Sequence, residues 1–162
     1  MAEETRRDDD MQRHLDAGHL MFWYRAMDLE ADRTLRAEAG ALAKADAETD
    51  ATLFVIALRN VVRAVELCRD HAPEVVDAAL AKFREQVPDA DKIRNITEHF
   101  DAYERGEGRL QEKGQVQEII DWYEFDGKTY RLNISGRYVL DVRSAEEAAG
   151  ELTGEVLEAL VG

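Results

Sequence analysis

The chain reads as mainly α: a four-helix up-down bundle, then a small three-stranded antiparallel meander and a C-terminal helix. Three observations predict this. Apolar residues recur at helical spacing from about residue 9 to 105. Pro73 and Pro88 each fall at a helix boundary, and beyond a glycine-marked stretch the pattern turns to alternation. The expected division is a helical bundle over 9–105 and a meander-plus-helix module over 115–162, packed on or beside the bundle. At 162 residues the chain can bury one genuine core.

The first helix is expected to run from Met11 through Leu15, Phe22 and Leu29 toward Leu35. Residues 37–49, mostly Ala, Glu, Asp and Lys, suit a solvated helical extension or a turn. A second helix should start near Asp50, a good cap, with Phe54, Ala57/Leu58, Val61, Val65 and Cys68 inward. It should stop at Ala72, because the residue before a proline is pushed away from helical geometry. Pro73 suits the first turn of a third helix whose stripe is Val76, Leu80, Phe83 and Val87. Pro88 closes that helix. Asp89 or Asp91 can then cap a fourth, with Ile93, Ile96, Phe100 and Tyr103 facing the core.

Gly106, Gly108 and Gly114 mark a linker over 105–114. Segments 118–125, 128–134 and 137–142 read as strands, joined by Asp126-Gly127 and Ser135-Gly136, two-residue connections typical of tight hairpins. Alternation places Tyr130, Leu132 and Ile134 on one face, and likewise Tyr138, Leu140 and Val142. Ser144-Ala145-Glu146-Glu147 has the form of a capping box. It would open a helix with Ala145, Ala148, Leu152, Val156 and Leu160 on one side, covering a sheet too small to stand alone.

The formal net charge of −14 weighs most on function. Nucleic acid is bound largely by neutralising phosphates, so non-specific DNA or RNA binding is not expected, and RNA could be engaged only through a local basic site. The single cysteine, Cys68, permits no internal disulfide and no cysteine zinc cluster, which fits a reducing cytoplasm. No apolar run is long enough to span a bilayer, and the acidic Met1–Asp10 segment does not have the basic start of a signal peptide.

The richest polar constellation is Ile93-Arg94-Asn95-Ile96-Thr97-Glu98-His99-Phe100. Arg94, Asn95 and His99 supply a fixed cation, an amide and a proton-transfer group. On one helix Asn95 and His99 would share a face, and a second copy related by a two-fold axis could close a site for a phosphodiester. Arg94 would then hold the phosphate as a planar fork. His99 would act as base on a ribose 2′-hydroxyl or as acid on the leaving oxygen, with Asn95 orienting either. The structural alternative pairs Arg94 with Glu98 and Asp101 with Arg105 on the surface and leaves His99 half-buried at a packing seam.

Arg-Asn-x-x-x-His late in a helical bundle resembles the HEPN superfamily (higher eukaryote and prokaryote nucleotide-binding helical domains). Their signature is an arginine, a polar residue and a histidine four to six positions after the arginine. The resemblance covers about residues 9–105 and implies Arg94, Asn95 and His99 as the matching positions. It implies a homodimer, in many members a metal-independent endoribonuclease of toxin or defence type that needs no cofactor. A protein partner such as an antitoxin would fit. Other members are non-catalytic dimerisation or protein-interaction modules, the alternative for this chain. Toxins modified by a nucleotidyltransferase often carry His-x-Tyr, where this chain has Asp101.

The remaining candidates are weaker. His14 and His19 flank Asp16, and His71 lies near Asp70 and Glu74, without metal-ligand spacing, so they read as surface residues. Cys68 sits on an apolar stripe and reads as a buried inert thiol. Phe22-Trp23-Tyr24 spans too much of a helix for one core face and suits an interface or a wide core. Trp122 and Tyr123 should point to opposite faces of the first strand. The glycines of 106–114 lack a Walker lysine. Leu58-Arg59-Asn60-Val61 echoes Ile93-Arg94-Asn95-Ile96, which by itself does not establish duplication.

Overall fold

The computed structural model describes residues 2–36, 41–116, 123–125 and 129–161. Helix α1 (Ala2–Leu35) and helix α2 (Ala41–Leu67) form a long antiparallel hairpin. Near the connection Leu29 and Asp32 border Thr49 and Asp50, while Asp16 reaches His71 just past the far end of α2. A 3-10 turn (Cys68–Asp70) follows, then α3 (Pro73–Gln86), α4 (Ala90–Glu98), α5 (Phe100–Glu104) and the one-turn α6 (Arg109–Glu112). Strands β1 (Tyr123–Phe125), β2 (Tyr130–Ile134) and β3 (Tyr138–Asp141) make an antiparallel sheet in the order β1-β2-β3. Helix α7 (Val142–Val161) ends the described chain.

Helix α2 starts well before Asp50. The alanine-rich approach favours helix, and Ala47 and Ala51 are buried in it. Its expected stripe is the core: Phe54, Leu58, Val61, Val65 and Cys68 are all buried. Helix α1 has two apolar faces. Leu20, Met27 and Ala31 are buried, whereas Met11, Leu15, Phe22 and Leu29 are exposed.

Pro73 opens α3, and Ala72 before it lies outside the helical region, as the proline requires. Val76, Leu80, Phe83 and Val87 are buried as expected. Asp89 occupies the N-cap position of α4 without capping it. Its carboxylate instead accepts the Val139 N–H of β3 at 3.2 Å and a Lys92 bond at 3.1 Å, tying helix to sheet.

The Ser135-Gly136 hairpin holds both central residues at positive φ (54° and 67°), and Arg137 N–H closes the turn on Ile134 C=O at 3.0 Å. Tyr130, Leu132, Ile134, Tyr138 and Leu140 form the buried face. The first strand is described only over 123–125, and Trp122 and the Asp126-Gly127 connection lie outside the described residues.

Helix α7 begins at Val142, not at Ser144, because Asp141 takes the cap. Its Oδ1 accepts Ser144 N–H at 2.9 Å, and its Oδ2 accepts Thr129 Oγ1 at 3.0 Å. Burial pushes the Asp141 carboxyl up, but the bonds from Ser144, Thr129 and Arg131 outweigh it and hold the group below the ordinary aspartate value.

α7 packs on α1 and α3 and also touches β2 and β3. Leu152, Val156 and Leu160 therefore belong to the same continuous core as Leu20 and Phe54. Among the described residues no helix is long and apolar enough to cross a membrane.

Candidate functional site

Arg94 and Asn95 sit on α4, and His99 does not share their helix. The chain breaks at His99 (φ −121°, ψ 32°), whose N–H still reaches Asn95 C=O at 3.2 Å while the next residues start α5. In an unbroken helix Phe100 would follow Ile93 and Ile96 into the core at i+7 and i+4. Here Phe100 is 56% exposed and Tyr103 is buried in its place. His99 is exposed, and the ring makes no hydrogen bond among the described residues.

Tyr103 explains the break. Its hydroxyl donates to Asn95 Oδ1 at 3.0 Å and accepts Leu110 N–H at 3.2 Å, so burying the phenol leaves its polar end satisfied. Gln111 completes the hub: its Nε2 donates to Tyr103 C=O at 3.0 Å, and its Oε1 accepts Gly108 N–H at 3.0 Å. Gly108 lies flat against the Tyr103 ring, where any Cβ would collide with ring carbons. The stretch read as a linker is thus a strap folded back on α4, and Asn95 is one of its anchors.

Arg94 is held by Glu98 at 2.9 Å, and Arg105 by Asp101 at 3.1 Å, so the surface pairing expected at i,i+4 is present at both places. The three predicted site residues divide accordingly. Arg94 and Asn95 border one cleft, and His99 stands outside it.

That cleft is the chemically distinctive feature of the molecule. It has a volume of about 410 Å³ between α2, α3, α4 and the strap. Arg59, Arg84, Lys92, Arg94, Arg109 and Lys113 line it, against only two carboxylates, Glu66 and Asp91. Several cations are partly engaged: Arg84 lies 3.8 Å from Glu66, Lys92 bonds Asp89, and Arg94 bonds Glu98.

The Nε atoms of Arg59 and Arg94 are buried without a hydrogen-bond partner among the described residues. Leaving such a donor unsatisfied costs on the order of 1–3 kcal/mol each. A smaller cavity of about 40 Å³ adjoins the cleft and shares Arg59, Val62, Arg84, Asp91 and Arg94 with it. Its floor is Val55, Leu58, Phe83 and Val87. The echo between Leu58-Arg59-Asn60-Val61 and Ile93-Arg94-Asn95-Ile96 acquires spatial meaning, since the packing of α2 on α4 brings both arginines to one place.

His71 and Asp16 are not surface residues. His71 Nε2 lies 3.0 Å from Asp16 Oδ2, both nearly buried, and Gln12 Nε2 donates to Asp16 Oδ1 at 3.0 Å. The pair staples the 3-10 turn to α1, a contact between distant residues that local spacing does not announce. Cys68 is buried, and its thiol donates to Ala64 C=O at 3.2 Å. Burial, with the Asp16 carboxylate adding to it, pushes that thiol up to about 11, so it is inert at neutral pH.

Among the described residues no three metal-binding side chains cluster. Comparison with protein-family models, with curated proteins and with solved structures returns no match to this chain.

Proposed function

We propose that the chain is a HEPN-like, non-catalytic helical module of the cytoplasm that associates through α1 with a second copy of itself. The supporting observation is the exposed stripe Met11, Leu15, Gly18, Phe22, Arg25 and Leu29, spaced alternately four and three residues apart. That is the spacing of a helix-pairing seam. Phe22, 61% exposed, is its largest member and packs edge-on against Trp23, with ring centroids 5.1 Å apart. Four large apolar residues exposed on one helix face mark an interaction surface.

The spacing is also symmetric about the middle of the stripe. In an antiparallel two-fold pairing Phe22 meets Gly18 of the other copy, and Met11 meets Leu29. A side chain at Gly18 would meet nothing within this chain, so the space for a facing phenyl ring is open. A homodimer buries this face without a foreign partner.

Light scattering tests the reading. The purified chain is expected to be a dimer, and Phe22→Glu a folded monomer. A monomer at every concentration, or a dimer untouched by Phe22→Glu, would overturn it.

A second reading, a metal-independent endoribonuclease of toxin or defence type, is favoured by one observation: His99 is exposed beside the exposed Phe100, open to another molecule. Against it, Arg94 and Asn95 are engaged by Glu98 and Tyr103. RNA cleavage in EDTA that disappears in His99→Ala would establish this reading and displace the non-catalytic one.

A further inference from the structure

We infer that the cationic cleft between α2, α3, α4 and the strap is a binding site for a small phosphate-bearing anion, a mono- or diphosphate. The site is independent of the α1 face, sharing no residue with it. Six cationic side chains border one concavity of a molecule whose formal charge is −14, so the positive potential there is local and set by the fold. Charge alone would describe an ordinary basic patch. The arginine placement goes further: Arg59 from α2 and Arg94 from α4, far apart in the chain, line the same concavity, and each guanidinium is seated by a buried Nε that has no acceptor among the described residues.

A phosphate offers several acceptor oxygens with the planar spacing an arginine fork matches, and two forks can share one group. Arg94 already gives Nη1 to Glu98, so its guanidinium is held in orientation at the cleft wall. Arg109 and Lys113 stand exposed on the strap, fixed by the Tyr103 hub, and supply the rim charges. Val62 and Leu110 give an apolar side on which the organic part of an ester can rest.

The volume suits a small ligand. A long polyanion would instead run out onto a surface dominated by carboxylates, where repulsion opposes it. A small phosphate is therefore favoured over RNA.

Isothermal titration of the full chain with inorganic pyrophosphate tests the site. One saturable site is expected, weakening as salt is raised. Arg59→Gln and Arg94→Gln should each lower affinity about tenfold or more, the loss of one charge-assisted contact. Because Arg59 is half-buried, the double variant Arg109→Gln/Lys113→Gln is the companion: both residues are exposed, so the fold is retained, and affinity should fall by about threefold or more. Lys82→Gln, altering a cation paired with Glu151 and Glu155 outside the cleft, should bind like the parent chain. Absence of saturable binding overturns the inference. So does binding indifferent to the arginine and rim variants, or a single-stranded RNA oligonucleotide whose binding pyrophosphate does not displace.

Discussion

The outer face of α1 and the cleft between α2, α3 and α4 are both open surfaces, built in opposite ways. The α1 face is local: six exposed residues of one helix, four of them large and apolar, repeating at a fixed spacing. The cleft is non-local: charged residues from three helices and a strap, concave, brought together only by packing. An exposed apolar stripe offers another helix a seam to pair with. A concave cationic cleft holds arginine donors that a small anion can satisfy at several points at once. In an acidic protein the first needs only a helix, while the second needs the whole fold to collect its scattered cations.

The largest effect expected is at Tyr103, which holds the strap over the cleft and has no part in the α1 face. Tyr103→Ala removes a buried ring and should cost about 3–5 kcal/mol in chemical denaturation. Tyr103→Phe keeps the ring but orphans Asn95 Oδ1 and Leu110 N–H, for about 1–3 kcal/mol. It should weaken pyrophosphate binding and leave the oligomer unchanged. Equal damage to both would mean that the two surfaces are coupled.

Next is Phe22→Glu. It should raise the dimer dissociation constant by about one to two orders of magnitude, in keeping with loss of a buried aromatic anchor. Sedimentation checks this, and pyrophosphate affinity should stay at the parent value.

Smaller again is Asp141→Ala, which removes the cap of α7 and should cost about 1 kcal/mol near neutral pH. The sign of its pH dependence follows from a carboxyl held below its ordinary value in the folded chain. The contribution is present above the unfolded aspartate value, roughly pH 4, and is lost as pH falls through the lower folded value. The parent and the variant should therefore converge in stability in acid, as urea midpoints across pH 2–7 would reveal.

The smallest effect belongs to His99→Ala. An exposed ring with no bonded neighbour among the described residues should change stability by less than about 0.5 kcal/mol and leave association and anion binding intact. A change in either would put His99 into one of the two surfaces.

Much of the fold was legible because its signals are local. Pro73 forces the residue before it out of the helix wherever the chain goes, and Ser135-Gly136 meets the positive φ of its turn unaided. The stripes of α2 and α3 were readable for the same reason: a helix carries its buried face in its own spacing. Local spacing is ambiguous where two solutions compete. Phe100 and Tyr103 both suit the core face after Ile96, and the hydroxyl bonds to Asn95 and Leu110 select Tyr103 and break the helix at His99. Asp141 and Ser144 are both acceptable caps, and pairing of β3 with β2 sets Asp141 beside Thr129 and Arg131.

The sequence alone therefore determined the mainly helical class, the buried stripes of α2 and α3, the last hairpin and the presence of Arg94, Asn95 and His99 in one short stretch. Tertiary structure decided which of those residues work together. It separated His99 from the other two, joined Arg94 to Arg59 from a distant helix, and drew Arg109 and Lys113 over the same cleft. The physical reason is range. Backbone preferences and helical periodicity act within a few residues. The meeting of two arginines far apart in the chain depends on how whole helices pack, and no local spacing encodes that.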